Sequence, residues 1–377
     1  MFVELRDLRY AWGRFLLMGS VISLVAVLTV LLTGLSTGLV NSGISGLRAM
    51  PLTHLAFEPK TNSTFSQSTL DAATIRALGR QSGVRAEPLG LTLFNAKDSA
   101  GTSFSIALVG IEPGGFMSKA VVGGSKLGRS ATGVIVSRGT AGGDVRVGDR
   151  IKLNRAGVTF RVIGIAPTAT YGHVDLVYAP ISLWRQATYG QVTGGVLSPS
   201  AQGLASAAAL QVQPGVDVAA IGSRLGVDIV TKQQAYAGSP GYVAETATMS
   251  LIIDFLYVIA ALIVGAFFTV WTIQRKADIG LLKALGASNG SVLRGALGQV
   301  GLVMVASTGV GGIIGSGIGA LISSGTLVPA GKVPFALQPG SILGASVILA
   351  VAGMIGSLAT VRRIVAIDPI IALGGAL

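Results

Sequence analysis

The sequence contains no cysteine and only two histidines, His54 and His173, among 377 residues. Disulfides and thiolate metal sites are thereby excluded, and two histidines cannot by themselves build a His-rich metal centre. Charge is scarce as well. Asp, Glu, Lys and Arg make up 12% of the chain, against about a quarter in a soluble domain, so much of the surface is expected to face lipid. A phosphate-binding G-x-x-x-x-G-K-[ST] run is missing, and Gly123-Gly124-Ser125-Lys126 is too short to serve as one. The formal net charge of +12 comes from Arg and Lys scattered singly through the middle of the chain. With no basic cluster, no nucleic-acid face is indicated, and basic residues flanking membrane segments account for part of the excess. No nucleophile–base pair or metal cluster stands out either.

What the chain has in quantity is apolar residues, 50% of the total, and 54 glycines without a collagen period. Small residues let membrane helices approach closely. A bilayer is crossed by about 20 apolar residues, and four runs suffice: 15–40, 246–273, 292–322 and 341–361. The first is too long for the apolar stretch of a cleaved signal peptide and reads as an uncleaved anchor. Arg6, Arg9 and Arg14 precede it, and Arg275, Lys276, Lys283 and Arg294 lie between the second and third runs. Arg362 and Arg363 follow the fourth, whereas the 323–340 loop holds only Lys332. The positive-inside rule then places both termini and the 274–291 loop in the cytoplasm, and residues 41–245 outside, in the plasma membrane of the cell.

The outer segment has a mixed pattern. Ser68 to Arg80 and Val216 to Leu225 read as helices, while Gly133–Val136, Arg150–Leu153 and Val158–Ile165 read as short strands. The expected fold class is therefore membrane α-helical, with four transmembrane helices and an α+β extracytoplasmic domain. At the N-terminus, Phe2, Leu5, Leu8 and Trp12 recur at helical spacing, away from Glu4, Arg6, Asp7 and Arg9. Residues 1–14 thus form either an interfacial amphipathic helix or a charged tail. Two small-residue faces stand out on the spans. Gly34 and Gly38 mark the first, and Gly311, Gly315 and Gly319 the third, where packing inside one subunit is favoured over packing between two.

The loop after the second span reads Arg275-Lys276-Ala277-Asp278-Ile279-Gly280-Leu281-Leu282-Lys283-Ala284-Leu285-Gly286-Ala287-Ser288. Ile279, Leu282 and Leu285 make a short apolar stripe on a helix that Gly286 would end and Ser288 would follow with a new cap. Such a helix docks on a cytoplasmic partner or lies on the membrane as a basic hairpin.

This run resembles the signature of the FtsX/MacB superfamily of ABC permeases, with Asp278 where the family has Glu. Gly133-Val134-Ile135-Val136-Ser137, Val147-Gly148-Asp149-Arg150-Ile151 and Phe160-Arg161-Val162-Ile163-Gly164-Ile165 resemble that family's extracytoplasmic core domain of the MacB type. Asp368-Pro369-Ile370-Ile371-Ala372-Leu373 resembles its ending. The resemblance implies a non-catalytic transport subunit that works as a homodimer with two copies of a separate cytoplasmic ATPase, which binds ATP and Mg. Arg275, Asp278, Ile279, Leu282, Lys283, Leu285 and Gly286 would couple the two, and the first and second spans would form the dimer seam. In size and layout the chain looks most like the haem exporter permeases of Gram-positive bacteria.

No cofactor is expected to be permanently bound; haem would be cargo. A haem site needs an axial ligand and apolar walls. Tyr242, Glu245, Met249 and Tyr257 gather at the outer end of the second span, and His54 and Glu58 lie past the first. Met249 or Tyr242 could meet iron, and Glu245 iron or a propionic acid. Each also has a plainer reading: interfacial Tyr belongs to the aromatic belt, Met fills cores, and His54 is a surface residue. Asp254 sits where it can reach water at the edge of the hydrocarbon. Two other readings are export of lipids, lipoproteins or hydrophobic drugs, and FtsX-like signalling to a cell-wall hydrolase.

Overall fold

The computed structural model describes all residues except 1–11, 119–120, 129–131, 155–156, 191–196, 275–279, 282, 284, 329–332 and 366–377. In chain order the elements are α1 (Trp12–Arg48), β1 (His54–Phe57), α2 (Ala72–Gly79), β2 (Val84–Lys97), β3 (Ser103–Ile111), β4 (Gly123–Gly124), β5 (Gly133–Ser137), β6 (Arg150–Leu153), β7 (Thr159–Ala166), β8 (Thr170–Tyr171) and β9 (Val174–Pro180). Then come α3 (Ile181–Tyr189), β10 (Ala207–Val212), α4 (Val218–Leu225), β11 (Asp228–Thr231), α5 (Tyr242–Gln274), α6 (Asn289–Ser323) and α7 (Pro339–Val365). Two compact units result: Met1–Gly38 with Thr246–Leu377, and Leu39–Glu245.

The first unit holds the spans. Four helices among the described residues are long and apolar enough to cross a membrane. α1 and α5 overrun the apolar runs 15–40 and 246–273, to Arg48 and back to Tyr242. Hydropathy finds where lipid ends, whereas a helix continues for as long as its backbone bonds and packing hold. Phe15, Met18 and Ile22 of α1 share a buried cluster with Val264, Phe268 and Trp271 of α5 and Val300, Val303 and Met304 of α6.

The second unit is an α+β domain around one 11-stranded sheet, ordered β11-β1-β10-β2-β3-β9-β5-β7-β4. Strand β6 pairs with both β2 and β7, so the path β2-β3-β9-β5-β7-β6 returns upon itself. One core comprises Ile106, Leu108, Val134, Val136, Ile151, Phe160, Val162 and Val177, with Trp184 of α3 packed in. A second core takes in the outer end of α1 through Ile44 and Leu47. The predicted strands appear at Gly133–Ser137, Arg150–Leu153 and Thr159–Ala166. The two predicted helices are shorter than the patterns Ser68–Arg80 and Val216–Leu225. Asp71 accepts from the Thr74 amide and Asp217 from that of Ala220, so each Asp stands outside its helix as the N-cap.

Candidate functional site at the start of the second span

The β8–β9 hairpin turns on two residues, Gly172 and His173, with φ of 56° and 65°. Both central residues of a type I′ turn need this left-handed backbone, which is unusual for His. The tip lies on the outer end of α1. The amides of Gly172 and His173 donate to the carbonyls of Gly43 (2.9 Å) and Ser42 (3.2 Å), and Thr170 N donates to Ser45 Oγ (2.9 Å). Gly46 is the point of closest approach, since a Cβ there would press on Leu176 and the Thr170 carbonyl. The chain entering α5 joins the same knot. Ser239 Oγ donates to the Gly43 carbonyl at 2.9 Å, and Tyr171 Oη donates to that of Gly238 at 3.0 Å. Burial pushes the Tyr171 phenol well above its usual range, so it stays a donor.

His173 is the junction. Its Nδ1 lies 2.8 Å from Ser42 Oγ, and its Nε2 lies 2.9 Å from Oε1 of Glu245 in the first turn of α5. A carboxylate there also complements the positive end of the helix. Sequence reasoning passed over His173. The available signal was Gly172-His173 between two apolar stretches, which is hairpin chemistry.

Of the predicted ligand residues, Tyr242, Glu245, Met249 and Tyr257 all lie on α5. Tyr242 stacks edge-on against Tyr236, with centroids 6.2 Å apart. Glu245 and Met249 are one turn apart and so share a helix face. Tyr257 packs beside Ala26, Ala260 and Leu349. His54 and Glu58 find their polar partners in their own surroundings rather than on α5. His54 Nδ1 lies 3.0 Å from Thr53 Oγ1, and the Glu58 carboxylate accepts from the Thr69 amide at 3.1 Å.

In the loop after α5, Arg275, Asp278, Ile279 and Leu282 lie outside the described residues. Gly280, Leu281 and Lys283 are helical. Leu281 and Leu285 are large apolar side chains, 57% and 77% exposed. Gly286 takes φ of 97° and donates to the Lys283 carbonyl, and the Ser288 hydroxyl accepts from the Ser291 amide at 3.2 Å.

The glycine faces are both used within the subunit. A Cβ on Gly311 would press on Ser23 O and Ala26, and one on Gly315 would lie 3.0 Å from Val30 Cβ, so α6 packs on α1. The expectation of a helix crossing at Gly34 and Gly38 needs correction. Their neighbours are Phe335 and Pro334, in the extended segment before α7, and Ala336 N donates to the Gly34 carbonyl at 3.0 Å. Gly319 faces the same Phe335 ring. An apolar cavity of about 710 Å³ lies between α6 and α7, lined by Val305, Ile313, Leu337, Leu343, Val347 and Ala350 among others.

Comparison with known proteins agrees with this architecture. Residues 15–226 match the MacB-like periplasmic core domain, and residues 250–369 match the FtsX-like permease C-terminal region. The hemin transport system permease protein HrtB of Staphylococcus haemolyticus is 23% identical over 374 residues, covering 98% of each chain. The HrtB of Staphylococcus epidermidis is 27% identical over 227 residues, which is 60% of this chain and 59% of that one. The periplasmic region of MacB from Actinobacillus actinomycetemcomitans is a similar solved structure, with a TM-score of 0.36 and 16% identity. It covers 52% of this chain and 94% of its own. With more than half of its length matched by the MacB-like core model, the chain belongs to that family and is an ABC transporter permease of the FtsX/MacB type.

Proposed function

We propose that the chain extrudes an amphiphile, haem, from the plasma membrane, driven by ATP hydrolysis in two copies of a separate cytoplasmic ATPase. The observation that carries this reading is the end-to-end likeness to a hemin transport permease, which covers 98% of both chains. The layout supports it. With both termini and the 274–291 loop in the cytoplasm, the domain formed by residues 41–245 lies outside, and the start of α5 meets the outer leaflet. Met249 or Tyr242 supplies the axial contact to iron, with Glu245 for iron or a propionic acid and Tyr257 deeper on the same helix. His54 and Glu58 are secondary candidates, being engaged locally. Leu251, Phe255, Val258 and Leu262 of α5 are exposed and apolar, which suits lipid or a second copy of the chain in a homodimer. Exposed Leu281 and Leu285 suit a groove on the ATPase.

Haemin titration of the purified, detergent-solubilised protein tests this. A saturable, shifted Soret band that weakens in Met249→Ala or Tyr242→Ala is expected, while a band no different from free haemin in detergent removes the haem reading. A second reading, export of lipids or hydrophobic drugs, is favoured by the apolar cavity between α6 and α7. In that case such compounds, and not haemin, stimulate the ATPase of the complex.

A further inference from the structure

Between Glu112 and Asp175 the sequence carries nine Lys and Arg against two acids, Asp144 and Asp149. Along the chain these cations stand singly, but the sheet gathers three of them, with Lys97, on one face. Arg150 of β6 lies directly opposite Arg161 of β7, and Lys152 of β6 lies directly opposite Lys97 of β2. Opposed residues of an antiparallel pair point to the same side, with Cβ atoms about 5 Å apart. Arg150 and Lys152, alternate residues of one strand, share that side too. All four are exposed, while Ala96, Ile151, Leu153, Phe160 and Val162 between them are buried in the core beneath.

Like charges set directly opposite destabilise a sheet, and nothing in the chain offsets these two pairs. Among the described residues no carboxylate lies within ion-pair distance of any of the four. The acids next to them in sequence are committed to turns. Asp149 accepts from the Arg146 amide and Asp98 from the Thr102 amide, each at 2.8 Å. The charge therefore calls for an anion from outside the chain. Guanidinium forks match phosphate oxygens two at a time, so an opposed Arg pair can hold one phosphate from both sides. The Lys pair lies one step of about 7 Å further along β6, a distance that a three-carbon polyol between two phosphates can span. Asn95 and Thr159 are the outward residues beside them, and neither is an aromatic on which a base could stack.

We propose that Lys97, Arg150, Lys152 and Arg161 form a docking face for a phosphodiester-linked polyanion, with the Arg pair on one phosphate and the Lys pair on the next. On the reading that residues 41–245 lie outside the membrane, this polymer belongs to the cell exterior.

The test is binding of a fluorescent, synthetic glycerol-phosphate hexamer to the full chain in phosphatidylcholine nanodiscs. Saturable binding is expected, weakening about tenfold or more between about 50 and 200 mM salt as counterions compete for the contacts. Arg150→Gln with Arg161→Gln should weaken it about tenfold. Arg150→Lys with Arg161→Lys, which keeps the charge and loses the forks, should fall between. The Gln pair should melt no lower than the wild type at low salt, because it removes a repulsion, and this separates lost binding from lost folding. No saturable binding, or equal affinity in the Gln pair, overturns the proposal. Equal binding of a poly-glutamate of the same charge removes the phosphate assignment. Displacement of the hexamer by monomeric short-chain phosphatidylglycerol, at equal phosphate concentration, assigns the face to lipid headgroups instead. Neither haem nor the ATPase enters the measurement, so failure of the haem reading leaves its outcome unchanged.

Discussion

The ring of Phe335 occupies the space that a side chain at Gly34 would fill, on the first span. One turn further along, the Pro334 carbonyl sits where a Cβ of Gly38 would be, and the Ala336 amide is bonded to the Gly34 carbonyl. An extended segment can lie this close to a helix only where the helix has no side chain. Gly34→Val is expected to displace Phe335, and Gly38→Ala to push the backbone away, each costing about 1–3 kcal/mol. Thermal unfolding in detergent measures this. A melting temperature as high as the wild type's in both variants would show that the segment does not need the contact.

Trp184 gives the outer domain a similar test. Gly90 of β2 and Gly110 of β3 lie against its indole, whose Nε1 donates to Thr92 Oγ1 at 3.1 Å. Gly90→Ala places a methyl against a fully buried ring that has no free space to move into. Destabilisation of about 1–3 kcal/mol is expected, with altered fluorescence from Trp184.

The loop after α5 predicts a loss of partnership rather than of folding. Leu281→Asp and Leu285→Asp change exposed positions, so stability should hold within about 0.5 kcal/mol. Co-purification of the cognate ATPase should fall sharply. Gly286→Ala acts differently, since φ of 97° strains any other residue, and should cost about 1 kcal/mol locally. Retention of the ATPase by both Leu variants would remove this loop as the docking element.

Acidification should weaken the outer domain in two windows. Partial burial lowers the affinity of His54 for a proton in the folded state. The unfolded chain then binds that proton more readily, so stability is complete above about pH 6.5 and falls below it. Asp71 is held below its ordinary value by the backbone amide of Thr74 and its bond there. Its contribution is present above the ordinary carboxylate range and is lost as pH drops through the depressed folded value. Chemical unfolding followed between about pH 2 and 8 should show both limbs. His54→Gln should erase the upper one and Asp71→Ala the lower, and a His54→Gln variant that keeps the upper limb would assign it to another group.

Much of the span architecture was legible because a run of about 20 apolar residues is a local property. β-strand and cap signals were local too, as with Asp217, which caps α4, and Gly226, which ends it at φ of 67°. Less legible were the outer ends of α1 and α5. There polar residues such as Asn41, Ser45 and Glu245 continue a helix that hydropathy alone would stop.

The sequence by itself determined that one apolar helix precedes and three follow an α+β segment along the chain, and that Gly286 and Ser288 punctuate the loop after the second span. Which partner each glycine face meets was decided only in three dimensions, because a small-residue stripe permits close approach without naming what approaches. The same holds for His173. Its partners Ser42 and Glu245 lie 131 and 72 residues away along the chain. Nothing in local pattern brings them together; the pairing of β8 with β9, and the seat of that hairpin on α1, does so.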